Sequence, residues 1–262
     1  MYVDSHCHLE IEDFDDDRWN IIEESLAEGL DYMLTVGTEE SYFGLVEKIT
    51  EKYPQIYGAI GIHPHNAAGF DGGAAKRLQD ALRGPKIVAL GEIGLDFFKN
   101  RSPGSVQIKA FEEQIQLASR MGLPVIVHSR SAPRETYDIL LASKESLGRG
   151  GVIHCFSYDL DYAKKFLDLG FFISIPGTIT YTKNISLAEV ARYVPSDRIL
   201  SETDAPFLAP HPYRGKRNLP FYVKATVAKV AEIRDVEKEI LASQIRKNFV
   251  ALFLEGREGA PQ

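Results

Sequence analysis

Eight times along its length this chain alternates a short β-branched or apolar run with a longer amphipathic stretch, and that rhythm restricts its fold more than any other feature. The runs are 2–6, 31–36, 56–62, 87–92, 124–128, 151–155, 171–175 and 198–203. Several are apolar on both faces, as parallel strands buried under helices are. Strand, helix and strand repeated in one sense call for parallel pairing. Eight such units in 262 residues match an α/β fold of the TIM (β/α)8 barrel type, which takes about 250 residues as one closed domain. No composition break or Ser/Pro-rich linker divides the chain, so residues 1–262 are expected to form a single domain.

Between the strands the helical pattern is clearest at 105–121. There Ile108, Phe111, Ile115 and Ala118 recur at steps of three and four, while Lys109, Glu112, Glu113 and Gln116 fill the other face. Two helical stretches, 220–233 and 236–254, follow the last strand, which predicts an additional C-terminal helix. The acidic run DFDDDRW, 13–19, reads as a loop and helix N-terminus, where the helix dipole favours carboxylates. The tail 255–262 is expected to fray.

In barrel enzymes the C-terminal ends of the strands carry the active site. One marker per strand end gives His6/His8, Val36, His63, Glu92, His128, His154, Ile175 and Asp204, spaced from 21 residues (His154 to Ile175) to 36 (Glu92 to His128). Closure of the barrel would therefore bring all of them to one mouth. Five of the seven histidines are among them.

The run DSHCHLE places His6 and His8 two apart, on one side of a strand, with Ser5 and Cys7 turned to the other. Two neutral imidazoles on one face make half a site for a divalent transition metal, and equally they can be packed histidines. In VALGEIGLD, Glu92 ends an apolar strand, where a bare carboxylate is costly and calls for a cation, a metal or a hydrogen-bond network. Asp96 follows as a supporting or structural group. PVIVHSR and GVIHCFS share one layout, a buried apolar strand ending in His128 or His154. ILSETDAP ends strand eight with Glu202 and Asp204 on one face. Asp204 can coordinate a metal and take a proton from water, and Glu202 can orient a ligand or bind substrate. Together His6, His8, Glu92, His128, His154 and Asp204 exceed the three protein ligands of one open catalytic zinc. Two divalent ions sharing Glu92 as a bridge is the economical reading, and such pairs serve hydrolysis.

Net charge −7 argues against general adhesion to long nucleic acid, which depends on neutralising phosphates. An anionic substrate must then be held locally. HPYRGKRN, just past strand eight, gathers Arg214, Lys216 and Arg217, and Arg130 follows His128; arginine binds phosphate bidentately and lysine as a point charge. Tyr213 and Phe207 offer rings on which a base can stack. With 44% apolar and 26% charged residues, and no apolar run near the ~18 residues that cross a bilayer, the composition is that of a globular cytoplasmic protein without a secretory signal. The two cysteines, Cys7 and Cys155, are not expected to pair.

DSHCHL (4–9), GIHPH (61–65), GEIGLD (91–96), VIVHSR (125–130), HCFS (154–157), SETDAP (201–206) and RGKRN (214–218) occur in an order that resembles the TatD family of metal-dependent hydrolases over nearly the whole chain. The resemblance implies that His6, His8, Glu92 and Asp204 hold one metal, and Glu92, His128 and His154 the other. It also implies an Mg-, Mn- or Zn-dependent deoxyribonuclease, often a 3′→5′ exonuclease on single strands. By the same likeness, His63 is a contact to substrate phosphate or a support for the ligands. Single-stranded DNA ends are thus the expected partner, with no membrane and no obligate protein partner. Related barrel amidohydrolases bridge their metals with a carbamylated lysine on strand four. Here Glu92 takes that position and Lys86 lies at the other end of the strand. Two alternatives stand beside the nuclease: a metal-dependent hydrolase of a small amide, ester or lactone, and a non-catalytic protein that binds metal or nucleic acid.

Overall fold

A computed structural model describes residues 1–182 and 184–256. The expected fraying of the tail falls, from residue 257 onward, outside the described residues. Eight parallel strands lie in sequence order, β1 (Tyr2–Cys7), β2 (Leu30–Gly37), β3 (Ile56–Ile60), β4 (Ile87–Asp96), β5 (Val125–Arg130), β6 (Gly151–Ile153), β7 (Phe172–Ile175) and β8 (Ile199–Ser201). Helices α1 (Arg18–Ala27), α2 (Glu40–Lys52), α3 (Gly72–Ala81), α4 (Gly104–Met121), α5 (Pro133–Ala142), α6 (Leu160–Asp168) and α7 (Ile185–Tyr193) connect them, and α8 (Val223–Arg234) and α9 (Lys238–Phe249) follow. The acidic run lies in the turn before α1. Among the described residues no helix is long and apolar enough to cross a membrane.

The strands form because runs such as Ile87–Leu90 and Val125–Val127 are buried throughout, with helices outside and neighbouring side chains inside. Helix α4 ends where Gly122 turns left-handed at φ 64° and its N–H returns to Ala118 and Ser119. Four strands, β3, β6, β7 and β8, are shorter than their apolar runs. β6 stops at Ile153 and β8 at Ser201, because Cys155 (φ 47°) and Asp204 (φ 57°) turn the backbone left-handed just beyond the ladders.

The barrel closes through a seam between β1 and the segment after β8. The Asp204 N–H donates to His6 O at 3.0 Å, and the His8 N–H donates to Ala205 O at 2.8 Å. Asp4, fully buried, completes the seam by accepting from the Thr203 N–H (2.9 Å) and hydroxyl (2.5 Å). At the opposite end α9 covers the starts of the strands. Arg246 reaches Asp31 and the Tyr32 hydroxyl, Asn248 donates to Ser196 O and Ile199 O, and Phe249 stacks on Tyr32 at 5.6 Å. Cys7 points outward into an apolar cluster with Phe14, Ile22 and Met33, its thiol donating to Leu34 O.

Candidate metal centre

At the C-terminal ends of the strands lies a cavity of about 820 Å³, lined by His8, His63, Glu92, His128, His154 and Asp204 among others. Glu92 sits at its floor, 3% exposed, on the stretch of β4 where the pairing with β5 shifts register between Leu90 and Ile93. Glycines on both sides of it allow this. A Cβ on Gly91 would stand 2.5 Å from Ile126 Cβ, and one on Gly94 would stand 1.9 Å from the His128 carbonyl oxygen. The motif GEIG therefore draws β4 onto β5 and sets Glu92 facing His128.

The two oxygens of Glu92 face different neighbours. Oε2 is 3.5 Å from His6 Nε2 and 3.9 Å from His8 Nε2. Oε1 is 2.6 Å from His128 Nδ1, 3.3 Å from His154 Nε2 and 3.6 Å from His63 Nε2. Asp204 Oδ1 completes the first group, 3.3 Å from His8 Nε2 and 3.9 Å from His6 Nε2.

This donor set fits a cation. The Nε2 atoms of His6 and His8 confront each other at 3.3 Å. Four ligand atoms placed tetrahedrally about 2.1 Å from one ion stand about 3.4 Å apart. The His6–His8 separation, and those from each of these histidines to Glu92 Oε2 and to Asp204 Oδ1, run from 3.3 to 3.9 Å.

Surrounding groups fix the ring orientations. His8 Nδ1 lies 2.9 Å from Val36 O and 3.1 Å from Glu10 Oε1, both acceptors, so Nδ1 is the donor and Nε2 faces the centre. Glu10 is itself held by the Thr35 hydroxyl at 2.6 Å. His154 Nδ1 points at Glu202, whose Oε1 also accepts the Cys155 N–H at 2.8 Å, so its Nε2 again faces inward. His63 is reversed. Its Nδ1 accepts the His65 N–H at 3.1 Å, which leaves the proton on Nε2 and makes that atom a donor toward the cavity. His6 is stacked on His154 at 3.6 Å, and its Nδ1 is buried without a partner among the described residues.

The charges answer each other. Burial works against an ionised Glu92, but His154, His63 and His128 outweigh it and hold the carboxyl well below its usual range. Burial likewise opposes charge on His8 and on His154. Asp204 and Glu10 overcome it for His8, Glu202 and Glu92 for His154, and both pKa values rise well above 6.5. Asp204 is lowered against its burial, chiefly by His8. Burial brings His63 down to about 4, so it is neutral near pH 7. A second proton on His8 or His154 would sit on the nitrogen that would bind a metal.

Several expected substrate contacts lie elsewhere. Glu202 is 0% exposed with both oxygens engaged, so it positions His154 and has no face for substrate. Arg217 is drawn away by the acidic run before α1, pairing with Asp17 at 2.5 Å and donating to Asp13 O. Arg214 lies over the Tyr181 ring, Tyr213 is stacked on Tyr222 at 3.7 Å, and neither Arg214 nor Lys216 lines the cavity. The working residue of RGKRN is Asn218, whose amide donates to Thr203 O and Phe207 O and so pins the turn that carries Asp204. Arg130 and Phe207 do line the cavity, together with Lys99 and Arg101, which the sequence pattern did not single out. Asp96 is buried beneath them, its Oδ2 2.9 Å from His65 Nε2 and 3.4 Å from His128 Nε2.

A family model described as TatD related DNase matches residues 3–254. The chain is 36% identical to the uncharacterized metal-dependent hydrolase YabD of Bacillus subtilis, over 97% of this chain and 99% of that one. It is 38% identical to the uncharacterized metal-dependent hydrolase YcfH of Escherichia coli, over 96% and 95%. Among solved structures, the TatD homolog YjjV of Escherichia coli superposes with a TM-score of 0.91 at 33% identity, covering 96% of this chain and 97% of the other.

Proposed function

Because the chain belongs to the TatD family of metal-dependent hydrolases, we propose that it hydrolyses phosphodiester bonds of DNA, trimming single strands from the 3′ end, at a centre for two divalent cations bridged by Glu92. One observation carries this reading: the two oxygens of a single buried carboxylate face two separate sets of histidines. In the proposal His6, His8, Asp204 and Glu92 would hold one cation, and Glu92, His128 and His154 the other. Bound Mg²⁺, Mn²⁺ or Zn²⁺ would supply Lewis-acid charge that stabilises a phosphoryl group under attack and makes water more acidic.

The protein's own groups divide the remaining work. Asp204 has 14% of its side chain exposed against 4% for Glu92, and it is kept ionised by His8. It is the carboxylate placed to accept a proton from attacking water. His63 offers Nε2–H to a phosphate oxygen while remaining uncharged. Glu10 and Glu202 keep the inward nitrogens of His8 and His154 aimed.

The test is release of nucleotides from a 3′-labelled single strand with Mg²⁺ or Mn²⁺, measured against Glu92→Ala and Asp204→Ala. Turnover in the parent protein and its loss in both variants supports the proposal. A metal-loaded protein that cuts no strand, or that turns over a neutral ester or lactone with higher kcat/KM than any strand, refutes it.

A further inference from the structure

We infer that the strand's phosphates dock on the loop after β4, through Lys99 and Arg101 together with Arg130, with Phe98 and Phe207 as the aromatic faces beside them. This rests on the phosphodiesterase reading and assigns the docking to a different loop from RGKRN. Lys99, Arg101 and Arg130 line the metal cavity, and among the described residues none of them forms an ion pair with a carboxylate. By contrast, Arg217 and Arg77 are spent on Asp17 and Glu40. In a chain of net charge −7, three unneutralised cations beside one cavity are a local anion-binding edge.

The loop is built to hold its position. The Lys99 N–H donates to Asp96 Oδ1 at 2.7 Å, and Asn100 takes a left-handed turn at φ 47°. Gln107, fully buried in α4, donates to Ser102 O at 2.7 Å and to Asn100 Oδ1 at 3.4 Å, and accepts from the Asp96 N–H. Asp96 therefore holds the cationic loop with one oxygen, and faces His65 and His128 with the other. The loop is tied to a proposed metal ligand through a single carboxylate.

The apolar surface matches a strand too. Phe98 is 61% exposed and carries the Arg130 guanidinium on its ring at 4.2 Å. Phe207 is 50% exposed and stands 6.1 Å from the His8 ring, beside Leu208 at 39%. Exposed rings next to cations that pair with no carboxylate among the described residues suit unstacked bases on a charged backbone, and a duplex end presents its bases already stacked.

The experiment compares the parent protein with Lys99→Ala/Arg101→Ala, Phe98→Ala and the control Lys109→Ala, which removes an exposed cation from α4. Each is read by cleavage of a 3′-labelled strand and by anisotropy of a fluorescent single strand, over a range of salt. Losing two charge-assisted contacts should raise KM and Kd at least about tenfold. The log–log dependence of Kd on salt should flatten by about 0.7 per contact, or about 1.4 for the pair. Phe98→Ala should weaken single-strand binding more than duplex binding. A double variant indistinguishable from Lys109→Ala in Kd and salt slope overturns the docking assignment. A strand that binds in the expected manner yet is never cut would leave the docking intact and remove the hydrolytic reading.

Discussion

Replacing Gly94 by alanine tests how tightly the metal centre depends on the approach of two strands. Gly94 has φ 140° and pairs with His128 across the β4–β5 ladder. Its added Cβ would lie 1.9 Å from the His128 carbonyl oxygen and 2.9 Å from the carbonyl carbon. The clash is with backbone, so no side chain can swing aside, and relief requires β4 to part from β5. Overpacking costs about 1–3 kcal/mol and an unfavourable backbone conformation about the same again, giving a loss of about 3 kcal/mol or more. For a chain of this size that lowers Tm by roughly 6–12 °C, at roughly 2–4 °C per kcal/mol. Gly122→Ala separates the two contributions, because Gly122 is left-handed at φ 64° but has nothing within 4 Å of its Cβ position. It should cost only about 1 kcal/mol. Thermal unfolding of the metal-free proteins by circular dichroism gives both values, and elemental analysis gives metal content. Glu92 and the His128 ring are carried by the strands being forced apart, so bound metal should fall as well. A Gly94→Ala protein melting within about 2 °C of the parent, or Gly122→Ala proving equally harmful, would refute the reasoning.

Glu92→Gln keeps the shape of the proposed bridging group and removes its charge. It should reduce bound metal to at most about one ion per chain and turnover by about 100-fold or more, by elemental analysis and single-strand cleavage. Glu10→Ala and Glu202→Gln touch no substrate. Each should weaken Mn²⁺ binding about 10–100-fold by calorimetry, since His8 is left with the Val36 carbonyl alone and His154 faces an amide in place of a carboxylate. The pH dependence has a definite sign. A group whose pKa is higher folded than unfolded stabilises the fold below its unfolded value, and this is lost as pH rises through its folded value. His8 and His154 are of this kind, and His6 and His63, whose values are lowered, complete their effect below 6.5. The metal-free protein should therefore lose stability above about pH 6.5, and the Tm gained on adding Mn²⁺ should grow between about pH 6 and about pH 8. A constant gain over that range would contradict the assignment of those protons.

Much of the architecture can be read in the sequence because parallel buried strands are continuous apolar runs. All eight appear, and their ends bring His6, His8, Glu92, His128, His154 and Asp204 together. The supporting groups are harder to read. Glu10 lies two residues beyond His8, and its role depends on Thr35 and Val36 of the neighbouring strand. Cations were the least legible. Arg217 meets Asp17 across the whole chain, a pairing no local pattern announces, while Lys99 and Arg101 owe their place to buried contacts of Asp96 and Gln107. RGKRN has the composition of a phosphate site, yet its buried member is the asparagine.

The seam joining β1 to the segment after β8 also sets a schedule. His6 is made among the first residues of the chain, and the group that answers it, Asp204, only after more than three quarters of the 262 have been linked. Until then Asp4 has no Thr203 to hold, and the His6 and His8 backbones have no partners at Asp204 and Ala205. During synthesis the first proposed metal position therefore stays a half-site, and it is completed by the same contacts that shut the barrel. A chain cut short before residue 204 would carry five of the six proposed ligand side chains and no closed shell in which to use them.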